Sequence, residues 1–483
     1  MPLLEFRNGG ENTEFHGLIQ TTDIRPGNVD HQSSMVVLYA HDQSEANLEL
    51  RNTKIEGRIP GTGTTRAIHG AGIEAFWGQK GTHGTLKLDR VDIRDANGDG
   101  LLAEVRGRAD DDEAAVAILD IRNSYLCENG GLPVTTPYLA NGNTFNPPLG
   151  VDFSKSGLHV SSKEGATWLS IDLQQSNFDD NDTHGSYFQS DVSVYEYTAA
   201  YPSVEAFACS FSNNGLNLTG TEQGHGWYFS FSDNPLGLNV QRSVFSNNRS
   251  SGLKAAIGQG NPNYTRDHDF TFYNCLFSKN RGEGASHPSL NFTMAPLTVE
   301  SADNLNLCTF QISQVTITDN VDTEYALSVY DLSNLASHDS LNLWQNGSSI
   351  DNCMFNLNNA QAGLDTCYYP EAPAPVITDH LWIEMFDSTR YSNLGSEGVA
   401  NPSRYTTVNG NFYGDPGMEA HPVLGMVLPK STSPYSLLID AGAPNPAATN
   451  GLDVLAKMRS VDFSAVLGGL SPFFDIGAIK VQE

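Results

Sequence analysis

The sequence predicts an all-β solenoid, a fold in which short strands form stacked coils. A large apolar residue followed three positions later by asparagine recurs in step seven times, at intervals of 52, 33, 34, 32, 40 and 38 residues, whereas Phe231 and Asn234 have the same spacing but fall out of step. A period of this length is typical of solenoids. Between these anchors apolar and polar residues alternate as in strands, for example in residues 169–173, and Gly, Ser and Asn occur at many predicted turns. The seven pairs are Leu126 and Asn129, Phe178 and Asn181, Phe211 and Asn214, Phe245 and Asn248, Phe277 and Asn280, Ile317 and Asn320, and Phe355 and Asn358.

The asparagine of each pair has a predicted structural role. Asparagine tolerates the left-handed backbone conformation at a bend, and asparagine side chains stacked from coil to coil satisfy one another where water is excluded. Across residues 41–366 the repeat resembles the right-handed parallel β-helix repeat family. That resemblance implies a right-handed parallel β-helix with ladders of stacked asparagines and small residues. Ile55 and Ile93 are predicted to be two earlier anchors, although neither has asparagine three positions later.

Three of the six cysteines occupy one position of the repeat. They lie two residues before an anchor, where other copies carry serine or valine, so we expect buried thiols in a column of small residues. Cys209 and Cys275 are two coils apart, about 9 to 10 Å at strand spacing, which is too far for a disulfide. Cys353 and Cys367 are close enough in the sequence to pair. The predicted column is Ser124, Ser176, Cys209, Ser243, Cys275, Val315 and Cys353.

The chain divides into three predicted regions. Residues 1–40 are expected to form an irregular segment, either an incomplete first coil or a cap. Residues 41–366 are expected to form the coils, with a loop insertion near residues 130–165, because proline is excluded from central strands and this stretch contains four prolines. Residues 367–483 are expected to form C-terminal coils and a closing segment.

The charge of the chain limits its partners. With 56 acidic and 27 basic residues its formal net charge is −29, which repels nucleic acids, anionic membrane surfaces and polyanionic glycans. No run of about 18 apolar residues is present, so no membrane-spanning segment is predicted.

One segment has the ligand spacing of a calcium loop. Asp95, Asn97 and Asp99 place side-chain oxygens at alternate positions, and Gly100 stands at the sixth. The twelfth position is Arg106, where an EF-hand has a bidentate glutamate. The alternative is an ordinary turn rich in asparagine and glycine.

Two coils carry matching aromatic segments, residues 184–188 and residues 225–229. Their alignment predicts that Tyr187 lies on Tyr228 and that His184 lies near His225. An outward aromatic ladder would form a platform for sugar rings, with Tyr187, Trp227 and Tyr228 as the glycan-binding candidates. The alternative is that part of the ladder faces inward, because side chains alternate along a strand.

Catalytic candidates are Asp179, Asp180, His184 and His225. Two carboxylates are required for glycoside hydrolysis, and Asp179, Asp180 and the Gly-His-Gly of residues 224–226 resemble polygalacturonase-like glycosidases. The Asn-Thr-Asp and Arg-Ile-Lys motifs of those enzymes are missing from this sequence. A plain turn is therefore the competing interpretation. A polyuronate lyase would need a base and a cation beside the substrate carboxylate, and few basic residues lie in the coils.

The C-terminal residues resemble the closing segment of bacterial surface proteins of the choice-of-anchor Q type. The matching pieces, in order, are residues 411–416, residues 433–442, residues 452–459 and residues 475–478. This resemblance implies a secreted or surface-attached bacterial protein.

These observations predict a secreted or cell-surface β-helix with a structural or adhesive role. It would contact glycans, other cells or copies of itself, side by side or in filaments. The alternatives are a polysaccharide-cleaving enzyme, either a glycosidase or a lyase, and a glycan-binding protein similar to a phage tail spike.

Overall fold

A computed structural model describes the fold of this chain. The described residues are 3–26, 34–58, 70–78, 81–107, 114–130, 155–163, 167–191, 203–218, 224–231, 237–257, 268–281, 297–301, 308–320, 327–331, 349–351, 353–356, 367–368, 389–390, 418–420 and 427–429. All regular structure within them is β, and none of them belongs to a helix long and apolar enough to cross a membrane. Contacts divide the chain into one unit of Met1–Gly237 with Ala255–Asn261 and another of Leu238–Lys254 with Pro262–Glu483.

The first unit contains strands β1 to β16 among its described residues. They are β1 (Leu4–Gly9), β2 (Glu14–Gln20), β3 (Asp23–Ile24), β4 (Val36–His41), β5 (Glu45–Glu56), β6 (Ile73–Gly78), β7 (His83–Arg94), β8 (Leu101–Arg106), β9 (Ala115–Arg122), β10 (Tyr125–Cys127), β11 (Leu158–Lys163), β12 (Thr167–Gln174), β13 (Ser186–Asp191), β14 (Ser203–Phe207), β15 (Ser210–Ser212) and β16 (Trp227–Phe231).

Two parallel sheets organise this unit. The first sheet has the order β1-β4-β6-β8-β11-β13-β16, and the second has the order β2-β5-β7-β9-β12-β14 with β3 and β10 paired to β5 and β7. Apart from the short strands β3, β10 and β15, consecutive strands of this unit alternate between the two sheets, so neighbours within a sheet are one coil apart. Burial alternates along the strands, as in β9 and β12, because one face of each strand is directed into the coil. The arrangement is all-β and solenoid-like, as the sequence predicts.

The second unit repeats this pattern in shorter strands. They are β17 (Gly237–Gln241), β18 (Val244–Ser246), β19 (Leu253–Ile257, at the division between units), β20 (His268–Tyr273), β21 (Leu276–Ser278), β22 (Leu297–Ser301), β23 (Cys308–Ser313), β24 (Thr316–Thr318), β25 (Leu327–Asp331), β26 (Ser349–Asp351), β27 (Met354–Asn356), β28 (Cys367–Tyr368), β29 (Thr389–Arg390), β30 (Met418–Ala420) and β31 (Val427–Pro429). Within it the sheets run β17-β20-β23-β26-β29, β18-β21-β24-β27 and β22-β25-β28, and β30 pairs with β31 antiparallel.

The apolar anchors stack in register. In the first unit Ile55 is opposite Ile93 and Ile93 is opposite Leu126, which confirms the two earlier anchors. The rings of Phe178 and Phe211 stack with centroids 5.0 Å apart. In the second unit Phe245, Phe277, Ile317 and Phe355 form one register column. The period of the sequence therefore corresponds to one coil.

The repeat asparagines form hydrogen-bonded ladders within each unit. The Asn129 side chain donates to Asn181 Oδ1 at 3.3 Å, and the Asn181 side chain donates to Asn214 Oδ1 at 3.2 Å. Asn181 Nδ2 also donates to the carbonyl of the preceding anchor, Leu126, at 3.1 Å. A second ladder runs through Asn248, Asn280 and Asn320 with the same bonds. Asn358 lies outside the described residues.

The left-handed bend lies one residue before each asparagine, which corrects the prediction that the asparagine itself adopts it. Positive φ angles occur at Glu128 (59°), Asp180 (60°) and Asn213 (61°), and none is recorded at the ladder asparagines. The reason is the ladder itself, since each asparagine must direct its side chain along the stack while its neighbour turns the backbone. The second unit has positive φ at Asn247, Lys279 and Asp319.

A column of glycines packs behind the asparagine ladder. A Cβ at Gly185 would lie 2.5 Å from the Gly226 carbonyl, 2.6 Å from the Phe178 carbonyl and 2.8 Å from Asn214 Nδ2. Similar approaches occur at Gly100 and Gly157. These glycines immediately precede strands of the first sheet, so only a residue without a side chain lets the ladder and the sheet meet.

The small residues predicted at this position of the repeat are buried in each unit. Among them thiols replace hydroxyls as donors to backbone carbonyls, as in Cys209 to Leu173 (3.4 Å) and Ser176 to Gln174 (2.8 Å). Burial raises the pKa of Cys209 to about 12, which keeps it as a neutral thiol. The thiol of Cys353 is buried and donates to the Ile312 carbonyl at 3.4 Å, and its pairing with Cys367 stays a prediction because the side chain of Cys367 lies outside the described residues.

Strands also lie in two stretches for which the sequence analysis predicted no regular coil strands. Residues 1–40 contain β1, β2 and β3, which continue both sheets. The stretch near 130–165, predicted as a loop insertion, contains β11, which pairs with β8 and β13. All four prolines of this stretch come before β11 in the sequence. The exclusion of proline from central strands therefore does not bear on β11. The four C-terminal pieces that resemble surface proteins lie outside the described residues.

Candidate functional site

The outer face of the first sheet carries an aromatic column. Leu102, His159, Tyr187 and Tyr228 occupy the same register position on β8, β11, β13 and β16. The next residue on each strand faces inward, and Phe188 and Phe229 are buried. Strand alternation therefore directs the tyrosines outward and the phenylalanines into the core.

Five rings meet on this face, and we call them the histidine–tyrosine cluster: His159, His184, Tyr187, His225 and Tyr228. Tyr187 stacks on Tyr228 with centroids 5.4 Å apart, and His184 stacks on His225 at the same distance. His159 packs on Tyr187 at 5.0 Å. The predicted alignment of the two aromatic segments is confirmed. The ring of Tyr187 lies between the rings of His159 and Tyr228. A sugar would therefore meet the edge of Tyr187, with its hydroxyl group, in place of a ring face.

The tautomer of His184 follows from one hydrogen bond. The backbone N–H of His225 donates to His184 Nδ1 at 3.1 Å, which places the proton of the neutral His184 ring on Nε2. His184, Tyr187 and Tyr228 are half-buried, whereas His225 is buried. The cluster thus combines hydroxyl and imidazole groups at a partly accessible surface.

Trp227 is not part of this surface, which corrects its candidacy as a glycan-binding residue. Only 1% of it is exposed, and its ring stacks on Phe211 at 4.9 Å. The cause is its position, since Trp227 immediately precedes the outward-facing Tyr228 and must face the interior.

Two residues of the predicted calcium loop, Asp95 and Asp99, are engaged by protein groups. Arg58 Nε lies 2.7 Å from Asp95 Oδ1. Asp99 is fully buried, accepts the Ser156 N–H at 2.8 Å, and lies 3.2 Å from His159 Nδ1. Asn97, which lies between Asp95 and Asp99 in the sequence, is also buried. Within the described residues no group of three or more His, Cys, Asp or Glu side chains is placed to hold a metal ion.

His159 is a site residue that sequence reasoning missed. It lies on β11, inside the stretch predicted as a loop, and its partner Asp99 is 60 positions earlier. The alternation of His159, Val160 and Ser161 was the available signal, because it directs both polar side chains to the outer face. Ser161 follows His159 on that face and is 1% exposed.

Asp179 and Asp180 lie in the turn between an anchor and its ladder asparagine. Asp179 Oδ1 accepts the Ser210 hydroxyl at 2.8 Å and the Ser212 N–H at 2.7 Å. Burial raises the pKa of Asp179 to about 6, although these two hydrogen bonds lower it. Burial also raises the pKa of Asp180, opposed by Asn213 and Arg94. The contacts of these carboxyl groups are with the next coil and Arg94, whereas those of His184 and His225 lie within the histidine–tyrosine cluster.

An exposed aromatic side chain also lies on the outer face of the second sheet. Trp168 on β12 is 38% exposed and stands in register with Val116, and Ile118 beside them is 37% exposed. Sequence reasoning missed Trp168 because the period alone does not tell which face of a strand is outward. Further along the same face Arg122 pairs with Asp120 at 2.6 Å and with Asp172 at 3.4 Å.

Comparisons of the chain with protein-family models, with curated proteins and with solved structures found no match.

Proposed function

We propose that this protein is a right-handed parallel β-helix of the bacterial cell surface or exterior, with a structural or adhesive role, which contacts glycans through the histidine–tyrosine cluster. Parallel sheets with strands one coil apart support the architecture, since parallel crossovers are almost always right-handed. The surface location rests on the resemblance of the C-terminal residues to choice-of-anchor Q proteins.

The observation that carries the glycan proposal is the convergence of phenol and imidazole groups on an outward sheet face. Tyrosine combines an apolar ring with a hydroxyl that donates and accepts hydrogen bonds, and neutral imidazole offers one donor and one acceptor. Sugars present the complementary set of hydroxyl groups. A rigid parallel sheet holds these side chains at strand spacing, about 4.8 Å per coil, so a chain of sugars can meet several coils in succession.

The charge of the protein favours neutral glycans. A formal charge of −29 repels polyuronates and sulfated chains, and repulsion of this kind lowers the association rate as well as the affinity. We therefore expect neutral polysaccharides to be the ligands.

Binding to immobilised neutral and acidic polysaccharides tests this proposal. Tyr187→Ala and Tyr228→Ala are expected to weaken binding about tenfold each, since each removes a polar contact and part of an aromatic stack. Trp168→Ala is the matched control, because it removes an exposed aromatic from the other sheet of the same unit.

Full binding by both tyrosine variants, together with loss of binding in Trp168→Ala, would place the glycan surface on the second sheet. Absence of binding to every polysaccharide would reject glycan contact altogether and direct attention to protein partners and self-association.

Cleavage of polysaccharide is the second candidate function, and Asp179 is the observation that favours it. Carboxyl groups with raised pKa values are suited to donate a proton near neutral pH. Assays of new reducing ends and of unsaturated uronate absorbance, made with wild type and Asp179→Asn, test for cleavage of polysaccharide. Cleavage that is lost in the variant would establish a glycosidase or lyase, and no cleavage by wild type would leave the binding role.

A further inference from the structure

Two buried polar atoms without hydrogen-bond partners lie at one end of the histidine–tyrosine cluster. They are His159 Nε2 and Ser161 Oγ, and neither has a partner within the described residues. His159 is 6% exposed and Ser161 is 1% exposed. Because nearly all buried polar groups in folded proteins are hydrogen-bonded, such a pair requires an explanation.

The chemical state of His159 follows from Asp99. A carboxylate only accepts hydrogen bonds, so the contact of 3.2 Å between Asp99 Oδ2 and His159 Nδ1 places the imidazole proton on Nδ1. Asp99 Oδ1 is held by the Ser156 N–H at 2.8 Å, which fixes the orientation of the carboxylate. In the neutral ring Nε2 then carries a lone pair and can only accept.

The two atoms are close enough to act on one ligand. His159 and Ser161 are two residues apart on β11, so their side chains share the outer face at about 6.6 Å along the strand. Tyr187 packs on His159 at 5.0 Å and is half-buried, so the pair adjoins the accessible part of the cluster. The Nε2 lone pair of the neutral His159 ring, beside a serine hydroxyl, matches a ligand that presents hydroxyl groups, since a hydroxyl can donate to Nε2 and exchange a hydrogen bond with Ser161.

We propose that His159 and Ser161 are the hydroxyl-recognising residues of the glycan site, and that Asp99 is a positioning residue that keeps His159 an acceptor. This inference rests on the proposed glycan contact and deepens it, because it specifies a neutral sugar with free hydroxyl groups as the ligand. An anionic sugar is disfavoured, since its carboxylate cannot donate to Nε2 and would lie near Asp99.

Asp99→Asn is the most informative variant. The amide can keep its oxygen on the Ser156 N–H and donate its nitrogen to His159 Nδ1, which moves the ring proton to Nε2 and turns the acceptor into a donor. In 15N-histidine NMR spectra of the full chain, we expect the Nδ1–H form of His159 in wild type and the Nε2–H form in the variant. Ser161→Ala is the second variant, and Trp168→Ala again serves as the control.

Affinity is measured with cello-, manno- and xylo-oligosaccharides and their per-O-methylated counterparts. Asp99→Asn and Ser161→Ala are each expected to weaken binding about tenfold or more, and O-methylation is expected to abolish binding to wild type. The O-methylated probes require no mutation, so the outcome does not depend on how the variants fold.

The outcomes separate this inference from the proposed function. If Tyr187→Ala and Tyr228→Ala weaken binding while an inverted His159 tautomer and Ser161→Ala have no effect, the glycan site stands and His159 and Ser161 do not recognise the sugar. Undiminished binding of the O-methylated sugars would likewise overturn hydroxyl recognition. If wild type binds none of the oligosaccharides, both proposals are rejected.

Discussion

At the residue scale, Asp179 couples stability to pH. Its pKa is raised from 3.8 to about 6, mainly by burial. The folded state therefore holds a proton that the unfolded state loses first, and stability falls as the pH rises through this range. Two pKa units correspond to a loss of about 3 kcal/mol between about pH 4 and pH 6.

Asp179→Asn is expected to remove this dependence, because the amide oxygen can still accept from Ser210 and Ser212 but does not ionise. Urea unfolding at pH 4 and pH 7 measures the effect, with the exposed change Glu205→Gln as the control. If the stability of Asp179→Asn falls between pH 4 and pH 7 as much as that of wild type, the raised pKa of Asp179 is not the cause of the pH dependence.

The glycine column gives a second prediction at this scale. Gly185→Ala places a Cβ within 2.8 Å of two carbonyl oxygens and of Asn214 Nδ2, and backbone atoms cannot yield as a flexible side chain can. We expect the free energy of unfolding to fall by about 3 kcal/mol, at the upper end of overpacking effects. Thermal unfolding measures it, with Ser203→Ala as an exposed control. A variant as stable as wild type would show that the contact relaxes.

At the scale of the element, the asparagine ladder connects successive coils. Asn181 donates to Leu126 O and Asn214 Oδ1, and it accepts from the Asn129 backbone and side chain. Asn181→Ala removes these four hydrogen bonds, although Asn214 Oδ1 still accepts the backbone N–H of residue 181 and Asn129 Nδ2 still donates to the Ile93 carbonyl. Each buried group that is left unsatisfied costs about 1–3 kcal/mol. We expect a total loss of at least about 3 kcal/mol, measured by urea unfolding.

Asn47→Ala is the matched control for the ladder. Asn47 lies on the outer face of β5, where it bonds Glu45 and His16 and is only half-buried. Its loss is expected to cost less than about 1 kcal/mol, since water replaces its partners. Equal losses for the two variants would mean that the ladder adds nothing beyond ordinary hydrogen bonding.

At the scale of the whole molecule, the net charge determines how glycan binding responds to salt. Salt screens charges over about 10 Å at 0.1 M, and a neutral sugar has no charge to screen. We expect affinity for neutral oligosaccharides to change by less than about twofold between 0.02 and 0.5 M NaCl. Polyuronates should bind more weakly than neutral chains at low salt and gain as repulsion is screened. Strong salt-sensitive binding of polyuronates at low salt would show that local basic groups outweigh the net charge.

The repeat period of the sequence is sufficient to predict the coil. The anchors from Ile55 to Phe355, the asparagines that follow most of them, and the column of small residues recur once per turn, because each coil meets the same neighbours at the same positions. The alignment of Tyr187 with Tyr228 follows from that same period.

Which side chains face outward and which meet across coils follows from the three-dimensional arrangement of the strands. Trp227 faces inward because its neighbour faces outward, and a shift of one residue would reverse both. Asp99 reaches His159 because the chain between them, 60 positions long, returns to the adjacent strand. Gly185 is required because Asn214 and Gly226 approach it from the next coil. The alternation of residues within one strand does not predict these contacts between coils, because they depend on the length and path of the chain that connects the coils.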